Sequence, residues 1–319
     1  MQSHSAPAFL QLFEPDAAAL RDELLQGLQA PQARVAPKFL YGPLGSVLFD
    51  AITLLDEYTP TRSEASLFAA HGPAMAAACG RQRPLVDLGA GNCAKAASLF
   101  ALLQPSQYVA VDISVDFLRQ SLTRLQQAHP ALPMLGLGLD FSPQLVLPDA
   151  VAAGPRTLFY PGSSIGNFTP DAALVFLRQV HTACAGGCGL IGVDGVKSAA
   201  LLEAAYDDAL GVTAAFNLNL LRNVNTVLGA DFDPRQWRHV AHYNGADSRI
   251  EMHLEARMAL TLRWPGGARP FAAGERIHTE NSCKYHPGDF KALLHDAGFG
   301  AVQVWTDDRG GFSVFVAQA

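Results

Sequence analysis

Two glycines and a carboxylate carry the first chemical signal in this chain. Gly89 and Gly91 follow the apolar run Leu85-Val86-Asp87-Leu88, and Asp112 closes a second apolar run, Tyr108-Val109-Ala110-Val111. Glycine takes backbone angles closed to other residues and has no Cβ, so a ligand can approach the main chain closely at such a turn. A carboxylate at the end of the next strand can accept hydrogen bonds from both hydroxyls of a ribose. The chemistry is that of holding an adenosine-bearing cofactor. Gly89-x-Gly91-x-x-Ala94 also fits the dinucleotide fingerprint, so these residues alone admit NAD or S-adenosylmethionine; a bare structural turn would require both the glycine spacing and the placed acid to be accidental.

The elements that must position these groups follow from periodicity. The run from Leu85 to Asp112 reads strand, turn, helix, strand, acid, which is a βαβ unit. The alternation continues with a helix over Val115 to Ala128, a strand over Pro133 to Leu139 leading to Asp140-Phe141, and a strand over Thr157 to Tyr160. After the loop Pro161-Gly162-Ser163-Ser164-Ile165-Gly166-Asn167-Phe168 come a helix over Asp171 to Cys184 and a strand over Leu190 to Val193. Alternating strands and helices predict an α/β fold with a parallel, Rossmann-like sheet covered on both faces. Upstream, Leu10, Phe13, Leu20, Leu24, Leu25 and Leu28 sit near helical spacing, so residues 8–30 read as one or two amphipathic helices.

The alternation breaks between about Lys197 and Tyr285. That segment reads as helices over Leu201 to Leu210 and Ala214 to Leu228, then strand-like runs around Ile250 to His253 and Arg257 to Arg263. At Pro287 it resumes, with a helix over Asp289 to Ala297 stopped by Gly298, a strand over Val302 to Thr306, the turn Arg309-Gly310-Gly311 and a strand over Phe312 to Ala317. A helix feeding a terminal antiparallel hairpin is how class I methyltransferases end, with a seventh strand inserted antiparallel, and this analogy favours S-adenosylmethionine. The expected division is a discontinuous cofactor-binding domain over residues 1–196 and 286–319, with an inserted α+β substrate-binding domain over residues 197–285.

Composition narrows the partners. With 49% hydrophobic and 16% charged residues in 319, the chain has ample material for a buried core and no disorder signature. A formal net charge of -6, a pI near 5.9 and no basic cluster argue against nucleic acid. No apolar run reaches the ~18 residues needed to span a bilayer, and Met1 to Phe13 lacks the order of a secretory signal. A cytoplasmic protein acting on a small molecule, without a membrane partner and as a monomer, is expected. The five cysteines, Cys79, Cys93, Cys184, Cys188 and Cys283, form no regular framework and read as reduced thiols. No metal is expected: His181, Cys184 and Cys188 lack a fourth ligand at a usual spacing, and His239 and His242 read as surface or core histidines.

Polar groups cluster in three further stretches, and a buried one would be costly without a partner. Ser163, Ser164 and Asn167 follow the fourth strand on the cofactor side. Asn217-Leu218-Asn219-Leu220-Leu221-Arg222 pairs with Tyr206, and Thr279-Glu280-Asn281-Ser282-Cys283-Lys284-Tyr285 precedes the return to the core. Tyr41, Phe49 and Tyr58 add aromatics at loop edges, where a tyrosine offers both an apolar face and a hydroxyl. Tyr58-Thr59-Pro60-Thr61-Arg62, the 161–167 loop, Asn217 to Leu221 with Gly229-Ala230-Asp231-Phe232, Arg249-Ile250-Glu251-Met252-His253-Leu254, and Thr279-Glu280-x-Ser282-x-Lys284 together closely resemble the histidine-specific N-α-methyltransferases of ergothioneine biosynthesis. The resemblance covers nearly the whole chain, in five separated motifs in the same order.

That resemblance implies three-fold methylation of the α-amine of L-histidine to hercynine, with S-adenosylmethionine as donor. Gly89, Lys95, Asp112, Asp140 and Phe141 match the family's cofactor contacts. Asn167 and Tyr206 match groups that hold the amino acid backbone, with Tyr58 at its carboxylate and Tyr41 near the amine; Tyr41 and Tyr58 are thus the candidate catalytic groups. Glu280 and Ser282 match the imidazole contacts, and Met252 the residue beside the ring. Thr59 departs from a tyrosine common in the family, and Gly42-Pro43 from more polar residues after Tyr41. The residue types agree with that chemistry: imidazole has one N–H donor and one acceptor, which a carboxylate and a hydroxyl satisfy together. Indole lacks the second nitrogen, so histidine is favoured over tryptophan. The alternatives are N-methylation of another aromatic amino acid and, in a different class, an NAD-dependent oxidoreductase.

Overall fold

The computed structural model describes residues 6–12, 16–309 and 311–319. Phe13 of the expected N-terminal helix, Gly310 of the expected turn and the start of the chain to Ser5 lie outside the described residues. In chain order the first elements are β1 (Ala8–Gln11), α1 (Ala17–Gln29), α2 (Pro43–Ile52), α3 (Pro60–Cys79), β2 (Leu85–Leu88), α4 (Ala94–Ser98), α5 (Phe100–Leu103) and β3 (Tyr108–Asp112). The middle of the chain forms α6 (Val115–Ala128), β4 (Met134–Gly138), β5 (Thr157–Tyr160), α7 (Pro170–Cys184), β6 (Cys188–Asp194), α8 (Ala199–Tyr206) and α9 (Val212–Leu228). The remainder forms β7 (Trp237–Asn244), β8 (Arg249–Ala256), β9 (Leu260–Trp264), β10 (Gly267–Phe271), β11 (Arg276–Cys283), α10 (Pro287–Asp296), β12 (Val302–Thr306) and β13 (Phe312–Gln318). These pack into two compact units.

Unit 1 comprises residues 1–13, 60–196 and 284–319. Its sheet runs β1-β4-β3-β2-β5-β6-β13-β12, parallel except that β13 lies antiparallel between β6 and β12. From β4 to β12 this is the seven-stranded class I methyltransferase order. The eighth strand corrects the reading of residues 8–30: Ala8–Gln11 is not helical but pairs parallel with Leu135–Gly138 at the sheet edge. Helical spacing misled there because the strand is only four residues long and its neighbour, β4, carries Gly136, which lets the Phe9 ring press against the backbone. Both faces of the central strands are buried, so β2, β3, β5, β6 and β13 are mostly apolar rather than alternating, with Asp87, Thr157 and Ser313 among the buried polar exceptions. Val86, Val109 and Ile191 face α7 and α10, while Leu85, Tyr108 and Leu190 face α3 and α6.

Unit 2 comprises residues 14–59 and 197–283. The antiparallel sheet β11-β8-β7 and the hairpin β9-β10 pack with α1, α2, α8 and α9. Helix α9 presents Phe216, Leu220, Leu221, Val224 and Leu228, a helical stripe, to Leu24, Leu28, Leu40 and Ile52 on one side and to Met252, Leu254 and Trp237 of the sheet. Residues 14–59, expected with the cofactor domain, therefore pack with the inserted segment. Two backbone bonds fix them there: Val35 N–H donates to the His278 carbonyl at 2.9 Å, and His278 N–H to the Ala33 carbonyl at 2.8 Å. The return to unit 1 falls at Lys284, where residue 286 was expected.

Candidate active site

Strand register brings the predicted cofactor residues to one edge of unit 1. Leu88 pairs with Val111 and Asp112 with Gly138, so Gly89, Asp112 and Asp140 follow the carboxyl ends of adjacent strands, where open α/β sheets take their ligands. Gly89 (φ 73°) and Gly91 (φ 51°) are both left-handed. A Cβ at Gly91 would meet nothing within 4 Å, and one at Gly89 only the tip of the Phe141 ring, at 4.0 Å. Asp112 Oδ2 accepts from Gly91 N–H at 2.9 Å and Oδ1 from Ser114 N–H at 2.8 Å. The Ile113 N–H and the Ser114 side chain add to these contacts, so the carboxylate is held in place at the strand end. Burial raises the Asp112 pKa, and the backbone N–H groups oppose that shift by favouring the anion.

Beneath the turn, Asp87 accepts the Tyr108 hydroxyl at 2.7 Å through Oδ2, while its buried Oδ1 has no partner. Burial pushes its pKa up to about 7, against the opposing Tyr108 hydrogen bond. Lys95 projects from α4 onto Glu64 at 2.8 Å. The other oxygen of Glu64 accepts from Gly162 N–H at 2.9 Å, so one buried carboxylate joins α3, α4 and the loop after β5. In that loop Ser163 is spent on structure, its hydroxyl accepting from Asp194 N–H at 2.8 Å. Asn167 ends the short 3-10 turn Ser164–Asn167 and stays half-buried.

Of the predicted substrate residues, Asn167 belongs to unit 1 and Tyr58, Tyr206, Met252, Glu280 and Ser282 to unit 2, where Met252, Glu280 and Ser282 share the face of β8 and β11 that carries Ile250. A β-bulge between His278 and Glu280 puts Glu280 and Ser282 there. Strand alternation from Ile277 would point residues 279 and 281 inward; the extra residue advances the phase, so Glu280 pairs with Met252 and Ser282 with Ile250. Thr279, fully buried, donates its hydroxyl to the Met252 carbonyl at 3.0 Å across the interrupted ladder. Ser282 Oγ lies 2.7 Å from the Tyr206 hydroxyl. A chain of rings runs on from Tyr206: Tyr58 is 6.2 Å from Tyr206 and 6.5 Å from Phe49, and Tyr41 is 5.7 Å from Phe49 and 5.5 Å from Phe216, all edge-to-face.

Tyr206 is held from behind. His239 Nε2 donates to the Tyr206 carbonyl at 2.8 Å, and Asn217 Nδ2 donates to His239 Nδ1 at 2.9 Å and to the His253 carbonyl at 3.1 Å. A carbonyl only accepts, which fixes the Nε2–H tautomer of a neutral ring, and burial lowers the His239 pKa in the same sense. The sequence paired the 217 stretch with Tyr206 but did not find His239 as the link. Glu64 was also missed; its one signal was an acid beside the Tyr58–Arg62 motif on an otherwise apolar helix face.

The model of a family described as histidine-specific, SAM-dependent methyltransferases matches residues 20–319. The chain belongs to this family. Two curated relatives named histidine N-alpha-methyltransferase, from Mycobacterium tuberculosis and Mycolicibacterium smegmatis, are each 38% identical, over 94% of this chain and 94% and 95% of theirs. Ergothioneine biosynthesis protein 1 of Neurospora crassa is 30% identical over 84% of this chain, which spans 31% of that longer protein. For a histidine-specific methyltransferase the donor is S-adenosylmethionine, which sets aside the NAD reading of the glycine turn. The unit 1 edge fits that donor: an open cradle at Gly89 and Gly91, a fixed carboxylate at Asp112, and the Phe141 ring as an apolar border.

Proposed function

We propose that this histidine-specific methyltransferase transfers three methyl groups to the α-amine of L-histidine, giving hercynine on the way to ergothioneine. The observation that carries the reading is the bulge in β11, which sets Glu280 and Ser282 on one buried face opposite Met252, with Ser282 hydrogen-bonded to Tyr206. A carboxylate and a hydroxyl so placed satisfy the donor and the acceptor nitrogen of an imidazole. Met252 packs beside the ring. Tyr58, Tyr206 and Asn167 hold the amino acid backbone, and Gly89, Lys95, Asp112, Asp140 and Phe141 hold the donor.

Bound S-adenosylmethionine supplies a methyl on a sulfonium. The protein must then hold a neutral amine in line with that methyl at roughly 3 to 3.5 Å. An α-amino group with a pKa of about 8 is largely protonated at neutral pH, so one proton must leave for each transfer. Tyr41 orients the amine, and its hydroxyl relays that proton to water. The N–C bond forms as the C–S bond breaks, and S-adenosylhomocysteine leaves neutral. After the third transfer the nitrogen is a fixed cation, which the faces of Tyr41 and Phe49 stabilise.

The protein acts in the cytoplasm as a monomer without nucleic acid. The acidic balance and the five free, buried cysteines support this, and no described helix is long and apolar enough to cross a membrane. Incubation with histidine and S-adenosylmethionine, followed by mass analysis, should give a product carrying three methyl groups, all on the α-nitrogen. Methyl groups on the imidazole, or turnover of tryptophan or tyrosine in preference to histidine, would overturn the reading.

A further inference from the structure

The opposite face of the unit 2 sheet carries a row of histidines that methyl transfer does not use. Alternation along β8 sends Met252 and Leu254 inward and Glu251, His253 and Glu255 outward. Neighbouring strands add His242 beside Glu251 and His278 beside His253. The His242 and His253 rings stack at 5.3 Å with planes inclined 21°, and His278 meets His253 edge-on at 5.2 Å.

Glu251 is aimed at the first two rings. Its Oε1 accepts from Arg249 Nε at 2.8 Å and Asn244 Nδ2 at 3.0 Å, which fixes the carboxylate. Its Oε2 stands 3.5 Å from Nε2 of His242 and 3.7 Å from Nε2 of His253, too long for good hydrogen bonds. Nδ1 of each ring is buried with no partner. The buried His253 and the partly buried His242 are thus poorly satisfied at both ring nitrogens, where unpaired polar groups are costly.

The geometry points to a divalent transition-metal site of the zinc class, with Nε2 of His242, Nε2 of His253 and Oε2 of Glu251 as ligands. A tetrahedral ion with bonds of ~2.0–2.1 Å has ligand–ligand edges of about 3.3 Å. Both Glu251–histidine edges, at 3.5 and 3.7 Å, are near that length, and the two rings must turn toward each other to close the set. The candidate ligand atoms already lie within 4.8 Å of one another. Neutral imidazole is the ligating form. His242, only partly buried, gives the ion a route from solvent and room for a water as fourth ligand. Arg249 and Asn244 serve as the outer partners that orient the carboxylate. His278 keeps its own bond, from Nε2 to Asn281 Oδ1 at 2.9 Å, and remains a neighbour of the site.

The test uses tag-free, chelator-treated protein in the absence of histidine, which would itself chelate. Titration with Co²⁺ should show visible d–d absorption saturating at one ion per chain, and Zn²⁺ should displace it. His242→Ala, Glu251→Gln and His253→Ala should each weaken binding by more than the roughly 10- to 100-fold that loss of an outer partner brings, while S-adenosylhomocysteine binding in unit 1 stays as in the parent. His242→Ala, at the partly exposed position, keeps the test decisive if His253→Ala fails to fold. Absence of saturable binding, or saturation that survives His242→Ala and Glu251→Gln, would overturn the proposal.

Discussion

The Lys284 ammonium lies 2.9 Å from Asp194 Oδ2, with both side chains buried. Asp194 ends β6 and Lys284 is the first residue after β11, so the pair pins the returning chain to the end of a core strand; the Tyr285 N–H adds a bond to the Asp194 carbonyl at 3.2 Å. Removing one partner takes this ion pair from a charge buried in the interior. Lys284→Met should therefore destabilise by about 3–5 kcal/mol. Urea unfolding checks this, and Lys284→Met combined with Asp194→Asn should recover part of the loss; a single-variant loss below about 1 kcal/mol would show the ion pair to be dispensable.

Glu280→Gln keeps the shape and removes the charge that satisfies an imidazole N–H. The value of kcat/KM for histidine should fall on the order of 100-fold, about 2.7 kcal/mol of transition-state stabilisation, with S-adenosylhomocysteine affinity unchanged. Steady-state kinetics beside calorimetric titration measure both. Unaltered histidine kinetics would remove Glu280 from the recognition of the ring.

His239 is predicted to be a positioning residue acting through Tyr206. His239→Ala frees the Tyr206 carbonyl, and the KM for histidine should rise on the order of 10-fold with a smaller change in kcat, matching about one hydrogen bond. His239→Gln, whose amide can donate to the same carbonyl, should restore most of the loss. A drop in kcat at constant KM in both variants would point to a different role.

Asp87 makes stability depend on pH. Its folded pKa of about 7 lies above the ordinary carboxylate value of 3.8, so between those limits the folded state binds more protons than the unfolded one. Stability from this group is then full below pH 3.8 and declines as pH rises towards 7. Asp87→Asn removes the titration and can keep the Tyr108 hydrogen bond. The variant should gain stability relative to the parent as pH is raised through that window, on the order of 1.4 kcal/mol per unit of pKa difference. Denaturation at several pH values tests this, and a difference that is flat with pH would refute it.

What the sequence determined was local. The strand, glycine turn, helix and acid around Gly89 and Asp112 are contiguous, and each residue type follows from the geometry it must adopt, so the βαβ unit was legible from spacing, which left NAD and S-adenosylmethionine both open. The motifs around Glu280 and Ser282 were legible as residue types. Their direction was not: counting by twos from Ile277 turns both outward, and only the bulge after His278, with Thr279 bonded across to Met252, turns them in. Tertiary structure also decided that residues 14–59 pack with the inserted segment, that Ala8–Gln11 is a strand, and that Asn217 reaches Tyr206 through His239. Periodicity records which face of an element is apolar but not which partner covers it, and a one-residue bulge changes strand phase without leaving a mark in composition.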